Sequence, residues 1–263
     1  MKIKAAVLRA ADQPYHIEEV ELAAPAADQI LVRIVASGFC HSDAIPRHTT
    51  RTGPLPLITG HEGAGVVEAV GADVSGVVVG DHVLLSYDSC GTCARCRADE
   101  PYFCVKFGEL NLVGTPLPAP SAVDSSGQPV RSRWFGQSSF ATHVVASARN
   151  FVVVDRSLPL DVLCPLGCGI QTGAGTVANI FRPKPGQSLI VFGVGGVGMA
   201  AIMAARALGG GTIIAVDLKE NRLETAKRCG ATHAFAANAP DLGQQIAAVA
   251  PDGLDFGFDT TGR

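Results

Sequence analysis

The sequence predicts two domains, a β-rich domain first and then an α/β domain with a doubly wound parallel sheet. Up to about residue 160, short apolar runs alternate with Gly, Pro and Asp, a pattern typical of an all-β domain. From Pro165 onward, strand-like runs alternate with helical ones, which predicts βαβ units. A length of 263 residues is sufficient for two domains that each bury a core. We place the domains at residues 1–168 and 169–263.

The predicted strands of the first domain are short and are separated by turn residues. In chain order they are AAVL, HIEEVEL, ILVRIVASG, GAGVVEAVG, VGDHVLLS, SSFATHVVA and FVVV. A loop-rich lobe, which includes Pro101, Pro116, Pro118 and Pro120, interrupts them between about residues 87 and 135. The second domain begins with the predicted helix GCGIQTGAGTVANIF. The strands SLIVFG, TIIAVD, THAFA and LDFGFD then alternate with the helices VGMAAIMAARALG, ENRLETAKRCG and one near Gln244–Ala250.

The composition favours a well-buried protein with a small-molecule ligand. Hydrophobic residues make up 47% of the chain and charged residues 17%, below the roughly 25% charged of an average soluble protein. The net charge is only −3, and no run of like charge occurs. We therefore expect no nucleic-acid partner and no attraction to an anionic membrane.

Neither a secretory signal nor a membrane helix is predicted. Residues 1–8 read as a short alternating strand rather than a basic segment before a long apolar run. The uncharged stretch Ser188–Ala205 approaches the length of a membrane span, but glycines divide it into a strand, a turn and a helix. We expect a cytoplasmic protein.

Four of the eight cysteines crowd into the lobe with the spacing C-x2-C-x2-C-x7-C. Clustered cysteines in a cytosolic chain indicate a metal site rather than disulfides. Four thiolates can close a tetrahedral zinc site with no vacant position, which makes such a zinc structural. Incidental cysteines, an iron–sulfur cluster and a zinc ribbon that binds nucleic acid remain as alternatives. The four residues are Cys90, Cys93, Cys96 and Cys104.

A glycine-rich turn in the second domain predicts a dinucleotide site. Gly193, Gly195 and Gly198 follow an apolar strand and open an alanine-rich helix, and Asp217 ends the next strand roughly 20 residues later. Glycines let the backbone approach a pyrophosphate at the helix N-terminus. A carboxylate at position 217 would accept hydrogen bonds from ribose hydroxyls and repel a 2′-phosphate, so NAD is expected rather than NADP. A glycine-rich turn without a ligand is the structural alternative.

A second set of metal-ligating residues is scattered along the chain. Cys40 lies in GFCHSD, His61 and Glu62 lie in GHEGAGVVEAVG, and Cys168 lies in PLGCGIQTGAG. With the four-cysteine lobe and GVGGVG, these segments, in their order along the chain, resemble the zinc-dependent medium-chain alcohol dehydrogenases over nearly all of the sequence. PLGCGIQTGAG, QSSFATH and DTTGR make the chain most similar to the aryl-alcohol (benzyl-alcohol) branch.

The resemblance implies a fold, two metals and a cofactor. It implies a GroES-like β-rich catalytic domain with a structural-zinc lobe, followed by a partial Rossmann domain that binds NAD. Cys40, His61 and Cys168 would hold a catalytic zinc, with Glu62 as an intermittent fourth ligand. Asp43 would orient His61 from behind. A three-ligand zinc keeps one position for the alcohol and makes its hydroxyl far more acidic.

The resemblance also implies contacts to NAD and a route for the proton. His41 would contact the pyrophosphate, Thr172 and Val197 the nicotinamide, Arg222 the adenosine ribose, and Gly196 would join the other glycines of the turn; helix packing is the alternative for Thr172 and Val197.

By the same resemblance, Ser42 falls where the family places the hydroxyl that takes the alcohol proton. Many relatives have a histidine three residues later, where this chain has Ile45. We expect the proton to pass through the cofactor ribose to His41 or water, with His48 as a less favoured relay.

The implied function is the interconversion of a primary, aromatic alcohol and its aldehyde with NAD. Alternatives are a dehydrogenase of another primary alcohol or of a thiol–aldehyde adduct, and a non-catalytic fragment that binds zinc and nucleotide. The predicted second domain has four strands where a doubly wound domain has about six. We therefore expect a truncated chain with an exposed sheet edge and little turnover of benzyl alcohol. The full-length form is expected to be a homodimer or homotetramer.

Overall fold

The computed structural model describes residues 1–49, 53–113 and 122–262. Its contacts group into two units, Met1–Cys168 and Gly169–Arg263. Three of the prolines expected in the lobe (116, 118 and 120) lie outside the described residues, as does the last residue of the chain. Among the residues described, no helix is both long and apolar enough to span a bilayer.

Two antiparallel five-stranded sheets form the first unit. The first sheet has the order β4-β1-β2-β7-β8 and the second β10-β6-β5-β3-β9. The strands are β1 (Lys2–Leu8), β2 (His16–Leu22), β3 (Gln29–Gly38), β4 (Leu57–Ile58), β5 (Glu62–Val70), β6 (His82–Leu85), β7 (Ala122–Val123), β8 (Pro129–Val130), β9 (His143–Ser147) and β10 (Phe151–Val154).

Alternating side chains build a separate core against each sheet. In β1, Ile3, Ala5 and Val7 are buried while Lys2 and Lys4 face outward, which is the period of a strand with one covered face. They pack with apolar residues of β2, β4 and β9. The core of the second sheet draws on β3, β5, β6 and β9.

The pairing of β3 with β5 brings two distant segments together. The strands are antiparallel, and the last residue of β3, Gly38, lies opposite the first residue of β5, Glu62. Residues that follow β3 therefore lie beside residues that precede β5. The neighbourhood of Cys40 and His61 follows from this register.

Short helices complete the first unit. They are α1 (His41–Ala44), α2 (Ala94–Arg97) and α3 (Leu160–Leu163), with 3₁₀ turns at Ile45–Arg47, Pro101–Phe103, Trp134–Gly136 and Cys164–Gly167 and a π turn at Glu109–Val113. The loop-rich lobe also contains two short strands that were not predicted, β7 and β8, and β7 pairs with β2. Two-residue strands carry no alternation in the sequence, and a turn around Asp124 brings these two together.

The second unit contains a four-stranded parallel sheet with the order β13-β12-β11-β14. Its strands are β11 (Leu189–Phe192), β12 (Ile213–Asp217), β13 (His233–Ala236) and β14 (Phe256–Asp259), and its helices are α4 (Gly169–Gly175), α5 (Gly196–Ala207), α6 (Glu220–Cys229) and α7 (Leu242–Val249). Residues of α5 and α6 pack on one face of the sheet and residues of α7 on the other. This is the predicted doubly wound arrangement.

The predicted helix over residues 167–181 is divided into two parts. Regular α-helix ends at Gly175, and Thr176–Phe181 forms a π turn. The Thr176 hydroxyl donates to the Thr172 carbonyl at 2.7 Å, so a side chain competes for the backbone acceptor at the change of helix type. The apolar periodicity of the sequence does not predict this change of helix type.

Candidate metal centre and cofactor site

Three of the four predicted ligands of the catalytic zinc lie together. The sulfurs of Cys40 and Cys168 and a ring nitrogen of His61 all lie within 4.8 Å of one another, and His61 Nε2 is 3.2 Å from Cys168 Sγ. Two sulfurs and an imidazole form a donor set that suits zinc, and three ligands are the usual complement of a catalytic zinc. The residues present therefore fit the metal that the resemblance implies.

The fourth predicted ligand, Glu62, stands beside this group rather than within it. Its side chain is buried, at 5% exposure. A Cβ added to Gly38 would lie 2.1 Å from Glu62 Oε2, so only glycine at position 38 leaves room for the carboxylate.

Asp43 contacts His61 on the side of the ring away from the two cysteine sulfurs. Its side chain is fully buried, and His61 Nδ1 lies 2.7 Å from Asp43 Oδ1. The backbone N–H of Gly60 donates to the same oxygen at 2.9 Å, and the N–H of Cys40 donates to Oδ2 at 3.1 Å. One carboxylate thus ties the segment after β3 to the segment before β5.

The turn at residues 134–138 surrounds the same histidine. Trp134 Nε1 donates to Asp43 Oδ1 at 3.0 Å, and the ring of Phe135 stacks on His61 with centroids 4.3 Å apart. Gln137 Nε2 donates to the carbonyl of His61, and Gln137 Oε1 accepts from Gly63 N–H. Reasoning from the sequence missed these three residues. QSSFATH marked the segment only as part of the resemblance.

Hydrogen bonding separates the protonation states of the three donors. Bonds from Cys168 and His61 lower the pKa of Cys40 to about 3, whereas the bond to Cys40, together with burial, raises the pKa of Cys168. Burial opposes the charged form of His61, but bonds to Asp43 and Cys40 outweigh it and raise the pKa of His61 to about 9. In the absence of metal, these shifts favour the thiolate of Cys40, the thiol of Cys168 and the protonated ring of His61.

The remaining predicted residues of this segment are more accessible. Ser42 is half-buried, and its Oγ lies 3.8 Å from Cys40 Sγ. His41 is exposed at the start of α1, and Ile45 is 38% exposed. His48 is exposed and its ring Nδ1 lies 3.2 Å from Asp12, so it is turned toward a surface carboxylate.

The four lobe cysteines form a second group, with sulfurs within 4.8 Å of one another. Cys96 Sγ lies 3.5 Å from Cys93 Sγ and 3.8 Å from Cys90 Sγ. A tetrahedron with Zn–S bonds of about 2.3 Å has sulfurs about 3.8 Å apart. Backbone N–H groups of Thr92 and Cys93 help to lower the pKa of Cys90 to about 5. The geometry and the thiolate-favouring backbone fit a closed metal site.

The glycine turn of the second unit is open in one part and tightly packed in another. A Cβ on Gly195 or Gly196 would meet nothing within 4 Å. A Cβ on Gly198 would lie 2.1 Å from the carbonyl oxygen of Gly193, which itself has a φ of +81°. Gly193 and Gly198 therefore shape the turn, whereas Gly195 and Gly196 leave space in front of the N-terminus of α5.

Asp217 is held against this turn at the end of β12. It is 6% exposed; Oδ2 accepts from Val194 N–H at 2.8 Å and Oδ1 from Lys219 N–H at 2.9 Å. Burial opposes ionisation, but these bonds and Arg222 lower the pKa of Asp217. Arg222 Nη1 is 3.5 Å from Asp217 Oδ2, which places two predicted cofactor residues side by side.

Thr172 and Val197 lie on two helices of the second unit in close contact. A Cβ on Gly173 would lie 2.0 Å from the carbonyl oxygen of Val197, so this glycine allows α4 to approach the first turn of α5. Thr172 is exposed and Val197 is half-buried.

Two family models match the chain. Residues 26–156 match an alcohol dehydrogenase GroES-like domain, and residues 196–263 match a zinc-binding dehydrogenase domain. The geraniol dehydrogenase of Castellaniella defragrans is 43% identical over 261 residues, which cover 98% of this chain and 70% of the relative. The chain belongs to the zinc-dependent medium-chain alcohol dehydrogenase family.

Solved structures of other alcohol dehydrogenases have the same fold as this dehydrogenase. An alcohol dehydrogenase zinc-binding domain protein from Burkholderia ambifaria is 44% identical with a TM-score of 0.96, and the match covers all of this chain and 71% of that one. The benzyl alcohol dehydrogenase of Acinetobacter calcoaceticus is 39% identical with a TM-score of 0.92 and the same coverage. The predicted GroES-like and Rossmann architecture is confirmed. This dehydrogenase spans about 70% of the length of these relatives.

Proposed function

We propose that this dehydrogenase transfers a hydride between a primary alcohol and NAD, with aromatic, benzyl-type alcohols as the preferred substrates. The observation that carries the proposal is the three-donor group of Cys40, His61 and Cys168, with Asp43 behind the imidazole. A three-ligand zinc retains a position for substrate, whereas four cysteines close their site.

Two zinc ions per chain are proposed. Cys40, His61 and Cys168 would hold the catalytic ion, with Glu62 as an intermittent ligand, and the four lobe cysteines would hold the structural ion. When bound, zinc would polarise the alcohol hydroxyl and lower its pKa, and NAD would accept the hydride. Asp43 would keep the His61 proton on Nδ1, so that Nε2 offers its lone pair to the metal.

The choice of NAD over NADP rests on Asp217. Its lowered pKa keeps the carboxylate charged, and a negative charge at this position would repel a 2′-phosphate while accepting ribose hydroxyls. The open space at Gly195 and Gly196 supports a pyrophosphate at the start of α5. Thr172 and Val197 are proposed to contact the nicotinamide and Arg222 the ribose.

Ser42 is proposed to receive the alcohol proton at its Oγ. It lies next to Cys40, and Ile45 can neither accept nor donate a proton. The proton is then proposed to leave through the cofactor ribose to His41 or to water. The exposure of His41 supports an exchange with solvent, and its proposed contact with the cofactor pyrophosphate rests on the family resemblance.

The substrate class is supported by the relatives and by the residues near the metal donors. Geraniol and benzyl alcohol are both primary alcohols whose hydroxyl-bearing carbon is attached to an sp² carbon, and relatives named for them are 43% and 39% identical to this chain. Phe135 stacks on His61 and Ile45 is apolar, which suits a flat apolar substituent. An aromatic alcohol is proposed over an allylic one because the aryl-type PLGCGIQTGAG is present.

A cytoplasmic location and a homodimer or homotetramer are also proposed. All eight cysteines are free, and six of them form the two metal-binding groups, which need reduced thiols. The oligomer rests on the family resemblance. Cell fractionation and sedimentation equilibrium test these two statements, and a membrane or periplasmic fraction, or a monomer at working concentration, would contradict them.

Metal counting and a substrate panel test the proposal. Elemental analysis should find two zinc ions per unaltered chain and one per chain in each of the variants Cys168→Ser and Cys96→Ser. Hydride transfer should be lost only in Cys168→Ser, where the Cys40–His61–Cys168 group is empty. A single zinc in the unaltered chain would refute the catalytic centre.

Turnover is measured on the protein at its natural length, because these 263 residues span about 70% of the relatives. Benzyl alcohol, geraniol and 1-butanol are compared with NAD and NADP. A higher kcat/KM with NADP, or with 1-butanol, would contradict the proposed cofactor or substrate class.

A further inference from the structure

Trp134 is the only tryptophan of the chain, and its indole nitrogen points at the residues behind the metal donors. The side chain is 1% exposed. Nε1 lies 3.0 Å from Asp43 Oδ1, the oxygen that is 2.7 Å from His61 Nδ1. A space-filling role alone would not require a donor aimed at this buried carboxylate.

Buried as it is, the carboxylate depends on its protein partners. Asp43 is fully buried, and three N–H donors converge on Oδ1, from Gly60, His61 and Trp134. Two of these partners are fixed by the backbone or by the metal donors themselves. Trp134, which is 91 residues away from Asp43 in the sequence, therefore provides the third donor that orients the carboxylate.

The local backbone is built to hold the indole in place. The N–H of Trp134 donates to Ser138 Oγ at 2.8 Å, and its carbonyl accepts from Ser138 N–H at 3.0 Å. The next residue, Phe135, has φ 48° and ψ 39°, a left-handed conformation that is unfavourable for a non-glycine residue. This backbone places Phe135 on the face of His61 and Trp134 on Asp43.

We propose that Trp134 is a positioning residue of the metal centre. Its N–H fixes the plane of the Asp43 carboxylate, and the carboxylate fixes the tautomer and the ring orientation of His61. Without the indole N–H the carboxylate can rotate toward the N–H groups of Cys40 and Gly60, and the imidazole loses its orientation before the metal arrives. Partners behind a ligating histidine typically change metal affinity by about 10–100-fold. Since Trp134 acts through Asp43, the lower end of that range is expected.

The first test is the zinc affinity of Trp134→Phe, which keeps an aromatic ring and removes the donor. Competition with a chromophoric chelator should show about tenfold weaker binding of one zinc ion and unchanged binding of the other, held by the lobe cysteines. Phe151→Leu serves as control, because Phe151 packs against the core of the second sheet, and it should leave both affinities unchanged. Equal affinities in Trp134→Phe and the unaltered protein would overturn the proposal.

A double-mutant cycle separates positioning from packing. In an Asp43→Ala background, Trp134→Phe should cause no further loss of zinc affinity, because the carboxylate through which it acts is absent. A tenfold loss that persists in this background would overturn the proposal and assign Trp134 to packing alone.

The fluorescence of Trp134 provides a test that needs no substitution at position 134. Zinc added to the metal-free protein should change the emission of this single tryptophan in the unaltered chain and in Cys96→Ser, and leave it unchanged in Cys168→Ser. If zinc leaves the emission unchanged in all three proteins, the inference is overturned.

The inference rests on the proposed catalytic centre. If the unaltered chain binds one zinc, the proposed function fails; if it binds two and Trp134→Phe keeps both affinities, only the inference fails.

Discussion

Gly195 and Gly198 belong to the same turn, yet the structure predicts opposite effects when each is changed to alanine. Gly195 has φ −74° and ψ −163°, which any L-residue can adopt, and its new Cβ would meet nothing within 4 Å. The Cβ of an alanine at 198 would lie 2.1 Å from the carbonyl oxygen of Gly193 and 3.2 Å from Val191 Cγ1. The first change leaves the fold intact, and the second forces the backbone to move.

The magnitudes follow from these contacts. Ordinary contacts begin at 3.4 Å, so in Gly198→Ala the carbonyl of Gly193 must retreat by roughly 1.3 Å. Overpacking of this kind costs about 1–3 kcal/mol, and the gain of up to about 1 kcal/mol from helix propensity offsets only part of it. Gly195→Ala should instead leave the stability nearly unchanged. Alanine restricts the unfolded chain by about 0.4–1 kcal/mol, but it is a poorer N-cap than glycine at the start of α5.

Nucleotide binding should be weakened in Gly195→Ala, the variant whose fold is expected to stay intact. In Gly195→Ala the methyl group occupies the space in which the backbone would approach the pyrophosphate. We expect NAD to bind at least about tenfold more weakly, which corresponds to about 1.4 kcal/mol. The fold should not change, so this loss belongs to the ligand alone.

Two measurements on each variant check the reasoning. Circular dichroism should show an unchanged or higher melting temperature for Gly195→Ala and a lower one for Gly198→Ala, by about 2–4 °C for each kcal/mol lost. Calorimetric titration with NAD should show the loss of affinity in Gly195→Ala. Unaltered NAD affinity in that variant would refute the cofactor site, and an unchanged melting temperature for Gly198→Ala would refute the packing argument.

Two further predictions concern protons. His41→Ala should slow hydride transfer near pH 7 by at least about tenfold if His41 relays the proton; an unchanged pH profile in stopped-flow measurements would remove it from the relay. Zinc uptake by the Cys40–His61–Cys168 group at pH 7 should release about two protons, one from Cys168 and one from His61, because Cys40 is already a thiolate. Since the pKa of His61 is raised to about 9, zinc affinity should rise as the pH increases toward 9, and the stabilisation of the metal-free fold by this imidazolium should disappear over the same range. Calorimetry in buffers of different ionisation enthalpy measures the proton count, and a count near zero at pH 7 would contradict these protonation states.

Most of the second domain could be predicted from the sequence, because the patterns that indicate its strands and helices are local. The strand, the glycine turn and the helix from Leu189 to Ala207 follow one another without interruption, and their apolar periods change at the glycines. The position of Asp217 at the end of the next strand was predicted for the same reason. The division of the first helix at Thr176 was not predicted, because the apolar pattern gives no sign of the side-chain hydrogen bond that accompanies it.

The first domain was less predictable wherever contacts join distant segments. Spacing alone predicts that the four lobe cysteines lie together, since a short loop can close around one metal. No local pattern indicates that Trp134 reaches Asp43, or that Gln137 binds the backbone of His61 and Gly63. These contacts exist only after two sheets have formed, and β7 and β8 escaped the prediction because their partners lie far away in sequence.

The register of β3 and β5 fixes the backbone on which this site is built. Gly38 lies opposite Glu62, and the missing Cβ at 38 admits the Glu62 carboxylate. A shift of the pairing by one residue would turn each side chain of β5 to the other face and would carry His61 away from Cys40. The clamps from Asp43 and Gln137 therefore oppose a register shift and hold the metal donors together at the same time. A site assembled in this way derives its geometry from strand pairing, and the side-chain hydrogen bonds refine it.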